Sequence, residues 1–569
     1  MKKIFSYFSA YKKECFLAPL LKLAEALMEL FIPILVADII DRGINGASSS
    51  VIITDVLIMI GLGALGLTFS VCGQYFSAKA AVGYSSDLRS ALYKKIVGLP
   101  LAKTDEVGTS RMITAMTSDI GKVQSGVNLA LRLLLRSPFV VIGAFIAALI
   151  INVKIALIFG VTILMLALTV AVIMMLTMPK FSKSQGMLDG ATLVARENLT
   201  GVRVIRAFGV EDAEIEDYRK RINALEKFQN STGKISSLLN PLTFCMVNLA
   251  IVALLYFGGV KVSLGILTQG AIIALYDYLS QILIELVKFA NLVVSISKAI
   301  ASGKRISKTL EIEEEENSPK EDESSQPFIR FKNVCASYGG GEVLTDINVS
   351  VEKGQTVGII GGTGSGKSTL VNLLAGLYTA KSGAVYVDGR DISGFSDSEK
   401  RRYVAIALQR PVLFKGTVKS NLLMGRQGAT DEEMLQAVRI AQADDVLMAK
   451  EKGLDSSVEQ GGRNFSGGQR QRLSLARAIV AKPEILVLDD SSSALDYVTD
   501  LNLRRALKNQ DLNQTLIIVS QRTASVKDAD KIIVLEDGEI VGVGTHGELY
   551  ETCETYREIE DSQSKGGGV

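Results

Sequence analysis

Between Ile155 and Met178 run 24 consecutive residues without one charged side chain. A helix rises about 1.5 Å per residue, so roughly 20 such residues cross the hydrocarbon core of a bilayer. A backbone in lipid must satisfy its own hydrogen bonds, which leaves a helix as the form open to this stretch. Five other apolar stretches accompany it, near residues 16–40, 51–76, 134–153, 242–263 and 270–300. The stretch before it ends at Asn152, and a tight turn around Val153 and Lys154 is expected to make the two a hairpin. The chain opens Met1-Lys2-Lys3 with no small-residue cleavage site after the first apolar stretch, which reads as a retained span and not a removable leader. All six stretches lie within residues 1–310 of a 569-residue chain. A composition of 48% hydrophobic and 21% charged residues is then the average of a membrane half and a soluble half.

Positive charge gives the orientation. Seven Lys and Arg residues lie from Lys79 to Lys122, between the second and third stretches, and ten lie from Lys180 to Lys234, between the fourth and fifth. The opposite loops hold only Arg42, Lys154 and Lys261, so both long loops and the N-terminus are assigned to the cytoplasm. The long loops contain few Gly or Pro breakers and keep a helical period, which predicts helices that continue into the cytoplasm before turning back. An unpaired charge at mid-bilayer costs at least about 2.5 kcal/mol. Glu25 and Glu29 nonetheless share a helix face in the first stretch, and Asp277, Gln281, Glu285 and Lys288 form a stripe in the sixth. Either these side chains line a polar central pathway or they pair with neighbouring helices. Lys and Arg (62) nearly balance Asp and Glu (60), which gives no electrostatic case for nucleic acid. Five scattered cysteines without a CxxC pair suggest neither a zinc site nor a disulfide framework.

Glu311–Gln326 is acidic, contains Pro319 and reads as a solvated linker. Strands and helices alternate after it. The apolar run Gln355–Ile360 leads into Gly361-Gly362-Thr363-Gly364-Ser365-Gly366-Lys367-Ser368, which is G-x-x-x-x-G-K-[ST] in a strand–loop–helix setting. Glycines let backbone N–H groups curl round phosphate oxygens, and the helix N-terminus adds favourable partial charge. Lys367 is placed to reach the β- and γ-phosphates, and the Ser368 hydroxyl to ligate Mg²⁺. A second apolar strand, Ile485–Leu488, ends in Asp489-Asp490, where a Mg²⁺-holding carboxylate belongs. Between the two, Ser466-Gly467-Gly468-Gln469 opens an Arg-rich helix, a further anion-binding helix start whose natural use is toward nucleotide held by another copy or partner.

On these motifs, residues 328–563 resemble the nucleotide-binding domain of an ATP-binding cassette (ABC) transporter, and the chain as a whole resembles an ABC exporter half-transporter. The resemblance implies a membrane α-helical domain of six transmembrane helices over 1–310. A linker follows at 311–327, then an α/β P-loop NTPase domain with a helical subdomain at 328–563, and a tail at 564–569 that is given no role. It implies ATP and Mg²⁺ as cofactors, with Gly361 to Thr369 around the phosphates, Tyr338 stacked on adenine, and Ser368, Gln409 and Asp489 at the metal. Phe465 to Gln469 match the family's signature and Ser493-Ala494-Leu495-Asp496 its D-loop. Leu199–Phe208 resembles the second cytoplasmic loop, and the loop tips of such exporters carry coupling helices that dock on the nucleotide-binding domains. The lone His546 lies in the family-like Gly544–Leu549 and reads as a surface structural residue.

Two positions depart from the family. The glutamate that activates water after the Walker B aspartate is here Asp490, and the switch histidine is here Gln521. Aspartate withdraws the carboxylate by about 1.5 Å, one C–C bond. A misplacement of about 1 Å can cost ~10²-fold in rate, and loss of a positioned base ~10²–10⁴-fold. Gln521 hydrogen-bonds but cannot carry histidine's charge. The expectation is a site that binds ATP and hydrolyses it slowly, in one subunit of a heterodimer whose second half-transporter carries the consensus catalytic site. The resemblance implies export of a hydrophobic or amphipathic compound, a drug, lipid or peptide, from a cytoplasmic membrane whose lipids surround the spans. A homodimeric exporter or flippase, an importer on the same fold, and a nucleotide-gated channel are the alternatives.

Overall fold

The computed structural model describes every residue except 1, 313–326, 339–340, 492–494, 509–513 and 566–569. Most of the expected linker, Ser493 and Ala494 of the D-loop and the last four residues of the tail lie outside the described residues, as does the Tyr338 side chain. The chain forms two compact units, residues 1–98 with 109–312 and residues 99–108 with 313–569.

The first unit is helical throughout. Among the described residues five helices are long and apolar enough to cross a membrane: Ser49–Val97, Thr109–Ile151, Val153–Thr200, Glu211–Ser263 and Gln269–Leu310. A sixth was expected from residues 16–40. The helix is present as Lys12–Asp38, 27 residues long, but Lys22, Glu25 and Glu29 at its centre keep it out of that group. The 48 residues of Val153–Thr200 are about 72 Å long at 1.5 Å per residue, more than twice the hydrocarbon thickness. The hairpin turn is tighter than expected, because the helix already starts at Val153 and Asn152 alone makes the reversal. The Asn152 Oδ1 accepts from the backbone N–H groups of Lys154 (3.2 Å) and Ile155 (3.3 Å) and from Lys261 Nζ (2.7 Å). These bonds satisfy two of the donors that a helix start leaves open.

The charges within these helices pair with one another. Arg136, only 8% exposed, donates through Nη1 to Glu285 Oε1 (2.7 Å) and through Nη2 to Glu29 Oε2 (2.6 Å). Glu285, 3% exposed, also accepts from Ser137 Oγ (2.7 Å) and Lys288 Nζ (2.8 Å). Lys22 Nζ donates to Glu25 Oε2 (2.6 Å) and to Ser70 Oγ (3.0 Å). Four helices are thereby tied together, and for Glu25, Glu29 and Glu285 pairing with neighbours is what the structure contains. Asp277 is half-buried and makes no hydrogen bond or ion pair among the described residues. Truncating one partner of a buried pair leaves the other charge uncompensated, at about 3–5 kcal/mol. Glu285→Ala is therefore expected to lower the melting temperature of the purified protein markedly, while Asp277→Ala, which leaves no partner charge uncompensated, does not lower it. Equal melting temperatures would contradict the pairing.

In the second unit a six-stranded sheet runs in the order Glu539–Gly544, Lys531–Glu536, Thr356–Gly361, Thr515–Val519, Ile485–Asp489, Val404–Ala407. Only the first strand is antiparallel to its neighbour. All five residues of Ile485–Asp489 are buried, as suits a parallel strand covered on both faces. A four-stranded antiparallel sheet, ordered Gly341–Val351, Ile329–Tyr338, Ser382–Val387, Arg390–Asp391, lies in the same unit. Helices Asp431–Ile440 and Gly467–Val480 share a core through Met434, Val438, Leu473 and Ala476. The short helix Leu101–Val107, which lies between the long helices Ser49–Val97 and Thr109–Ile151, belongs to this unit, and Tyr378 Oη donates to its Asp105 Oδ2 at 2.7 Å.

Candidate nucleotide-binding site

Three neighbouring parallel strands end level with one another. Ile359 lies opposite Val519, and Val519 opposite Asp489, so the segments following each strand emerge at one edge of the sheet. In open α/β sheets that carboxyl edge is where ligands bind. Gly361–Ser368, Asp489-Asp490 and Ser520-Gln521, more than a hundred residues apart at the extremes, are thereby gathered.

The phosphate loop closes tightly. Gly366 has φ +95°, and a Cβ there would meet Leu344 Cδ2 at 2.5 Å and the Val343 carbonyl at 3.0 Å. Both the backbone conformation and the space demand glycine. Gly362, Thr363 and Gly364 are exposed at the crest of the loop, while Ser365 and Thr369 are buried. Lys367 opens helix Lys367–Leu374, and its Nζ donates to the carbonyls of Gly361 (2.9 Å) and Gly362 (2.5 Å). Burial pushes the Lys367 ammonium below the usual lysine range, against the opposing pull of Asp490 and Asp489. Asp489, 4% exposed, is pushed up by burial although Ser368 Oγ donates to its Oδ1 at 3.1 Å. A hard divalent cation would relieve that buried carboxylate. The hydroxyl of Ser368, the carboxylate of Asp489 and the amide oxygen of Gln409 are the oxygen donors such a cation takes.

Asp490 stands in the left-handed region, φ +46°, a conformation aspartate tolerates better than most residues. Its N–H donates to the Val519 carbonyl (3.0 Å), and its Oδ2 accepts from Gln409 Nε2 (3.1 Å). The structure thus joins Ser368 to Asp489 and Gln409 to Asp490. Gln521 is exposed just past its strand.

The Ser466–Gln469 turn is a capping box. Ser466 Oγ accepts from the Gln469 N–H (3.3 Å), and Gln469 Oε1 accepts from the Ser466 N–H (2.9 Å). Gln469 therefore spends its side chain on the helix start, leaving Gly467 and Gly468 as bare backbone. No hydrogen bond or ion pair joins this turn to the phosphate loop among the described residues. Sequence reasoning missed Gln471, 1% exposed, whose Nε2 donates to the Leu408 carbonyl (3.2 Å) and ties the signature helix to the residue before Gln409. A glutamine in an Arg-rich helix carries no outward signal of that contact. His546, read as structural, shares a hydrogen bond with Tyr556 Oη through Nδ1 (2.8 Å).

Family models match both halves of the chain: the ABC transporter transmembrane region at residues 15–286 and the ABC transporter domain at 344–493. An uncharacterized ABC transporter ATP-binding protein of Mycobacterium tuberculosis is 33% identical, covering 98% of this chain and 97% of that protein. The chain belongs to the ABC transporter family. A Bacillus subtilis relative, also an uncharacterized ABC transporter ATP-binding protein, is 32% identical over 99% of this chain and 98% of its own. The ATP-dependent lipid A-core flippase of Yersinia pestis is 28% identical, with 99% and 97% covered. Among solved structures, a bacterial Atm1-family ABC exporter with ATP bound superposes with a TM-score of 0.82 at 22% identity, covering 98% of each chain. The transporter thus has the ABC exporter fold. It is a multi-pass membrane protein and an ATPase coupled to transport, with ATP and Mg²⁺ as cofactors. Lys367→Ala is expected to weaken Mg·ATP affinity by roughly 10- to 100-fold, since it removes a charge-assisted contact to phosphate. Titration with a fluorescent ATP analogue reads this directly, and an affinity within threefold of the parent would remove Lys367 from the site.

Proposed function

We propose that this chain is one subunit of a heterodimeric ABC exporter in which its own phosphate loop forms a site that binds ATP and hydrolyses it slowly. The observation that carries the reading is the pair of substitutions at the site edge, Asp490 after the buried Asp489 and Gln521 after strand Thr515–Val519. Asp490 accepts from Gln409, so the shorter carboxylate is held toward the loop that carries Gln409. Gln521 supplies a neutral amide where an imidazolium would assist. Ser466–Gln469 is intact and would complete the consensus site on the partner, a second half-transporter.

Six helices span the membrane in this reading. Lys12–Asp38 is the first, its central charges paired within the protein, Lys22 with Glu25 and Glu29 with Arg136. The cassette faces the cytoplasm, ATP binding draws two cassettes together, and the loops between membrane helices carry that motion to the spans. The substrate is a hydrophobic or amphipathic compound. The name of the Yersinia relative, a lipid A-core flippase, supports an amphipathic lipid among the candidates.

Steady-state ATPase of the chain alone in lipid nanodiscs, beside Asp490→Glu/Gln521→His, tests the proposal. Turnover of the native chain is expected to lie at least ~10²-fold below that of the double variant, the scale of a misplaced base. If the native chain alone turns over tens of ATP per second, within the usual enzyme range, a self-sufficient homodimer replaces the heterodimer.

A further inference from the structure

The C-terminal helix Glu554–Lys565 reaches back to the segment that carries Gln521. Gln563 Nε2 donates to the Gln521 carbonyl at 2.7 Å, while Gln563 Oε1 accepts from the Thr523 N–H (3.0 Å) and from Thr523 Oγ1 (3.1 Å). One amide therefore grips both sides of residue 522. The grip suits an amide alone, because a donor must face the carbonyl of Gln521 and an acceptor the N–H of Thr523.

Both ends of this bridge are fixed. Thr523 is 2% exposed and starts the turn Thr523–Val526, and the adjoining Ser520, 1% exposed, accepts the Arg522 N–H through Oγ (2.9 Å). The C-terminal helix is anchored by Tyr556, which is fully buried in the core with Val534, Leu549 and Cys553. Gln563 stands seven residues beyond Tyr556, two turns along the same face. Between the two fixed ends, Gln521 is exposed at the edge of the sheet where the phosphate loop and Asp489 also emerge.

We propose that Gln563 is a positioning residue for the nucleotide switch, bracing the backbone at Gln521 so that its side chain is presented to ATP before ATP arrives. The inference rests on the reading of Gln521 as the switch. Ordering a segment only on binding costs affinity, and a brace present beforehand removes that cost. The benefit falls on the nucleotide that reaches the switch, ATP, and not on ADP, which lacks the terminal phosphate.

Affinities for Mg·ATP and Mg·ADP are measured on the full-length protein in nanodiscs by displacement of a fluorescent nucleotide, with hydrogen exchange followed over residues 520–526. The variants are Gln563→Leu, Gln563→Glu and, as reference, Gln521→Ala. Glutamate keeps the acceptor for Thr523 but sets a carboxylate against the Gln521 carbonyl, at little change in helix propensity. Both Gln563 variants are expected to lower the preference for ATP over ADP about three- to tenfold, the worth of one or two hydrogen bonds. ADP affinity stays within twofold, which also reports an intact fold, and exchange across 520–526 quickens. If Gln521→Ala lowers the preference while both Gln563 variants leave it unchanged, the brace is overturned and the switch reading stands. If Gln521→Ala leaves the preference unchanged, the switch reading falls and the positioning role falls with it.

Discussion

Parallel pairing of strand Thr356–Gly361 with Thr515–Val519, and of that strand with Ile485–Asp489, is the constraint on which the chemistry depends. Neighbouring strands lie about 4.8 Å apart, so two in-register pairings bring the phosphate loop and the Asp489 carboxylate within about 10 Å. Such strands cannot be joined by hairpins and require long crossovers. The crossovers here contain the helical subdomain with Ser466–Gln469 and the loop with Gln409. The pairing thus fixes the phosphate loop, Asp489, Asp490 and Gln521 at one edge, and the crossover lengths leave room for the helical subdomain and the loop that carries Gln409.

Electrostatics inside the membrane unit follow a different logic. Arg136 is buried where an isolated charge would be costly, and three carboxylates lie within 4 Å of its guanidinium. The closest two come from different helices, Lys12–Asp38 and Gln269–Leu310. A hydrophobic contact between helices in lipid competes with equally apolar lipid tails, so polar contacts of this kind specify which helices are neighbours. Those same charges leave Lys12–Asp38 without a long uncharged stretch, because Lys22, Glu25 and Glu29 lie across its middle.

Much of the site was legible because phosphate chemistry demands particular residues at fixed local spacing. Gly366 shows this, since its φ and the approach of Leu344 exclude any side chain. The helix start at Ser466 was legible as well, being a local capping pattern. Contacts between distant segments were not. Nothing in the residues around Gln471 or Gln563 signals that one holds Leu408 and the other Gln521 and Thr523, because an amide side chain has the same appearance in sequence whether it faces water or a carbonyl 40 or more residues away.

Local periodicity and local spacing in the sequence account for the two-part organisation, the apolar helices and the nucleotide chemistry, while Asp490 and Gln521 stand out only against the pattern of the family the chain resembles. Tertiary structure alone decided that the acids Glu25, Glu29 and Glu285 are paired, that Asn152 makes the hairpin turn, that Leu101–Val107 packs with the cassette, and that the C-terminal helix grips the segment around Gln521. The division has one physical cause. Backbone propensity and hydrophobic period act over a few residues, whereas the partner of a charge or an amide is set by which helices and strands the whole chain brings side by side.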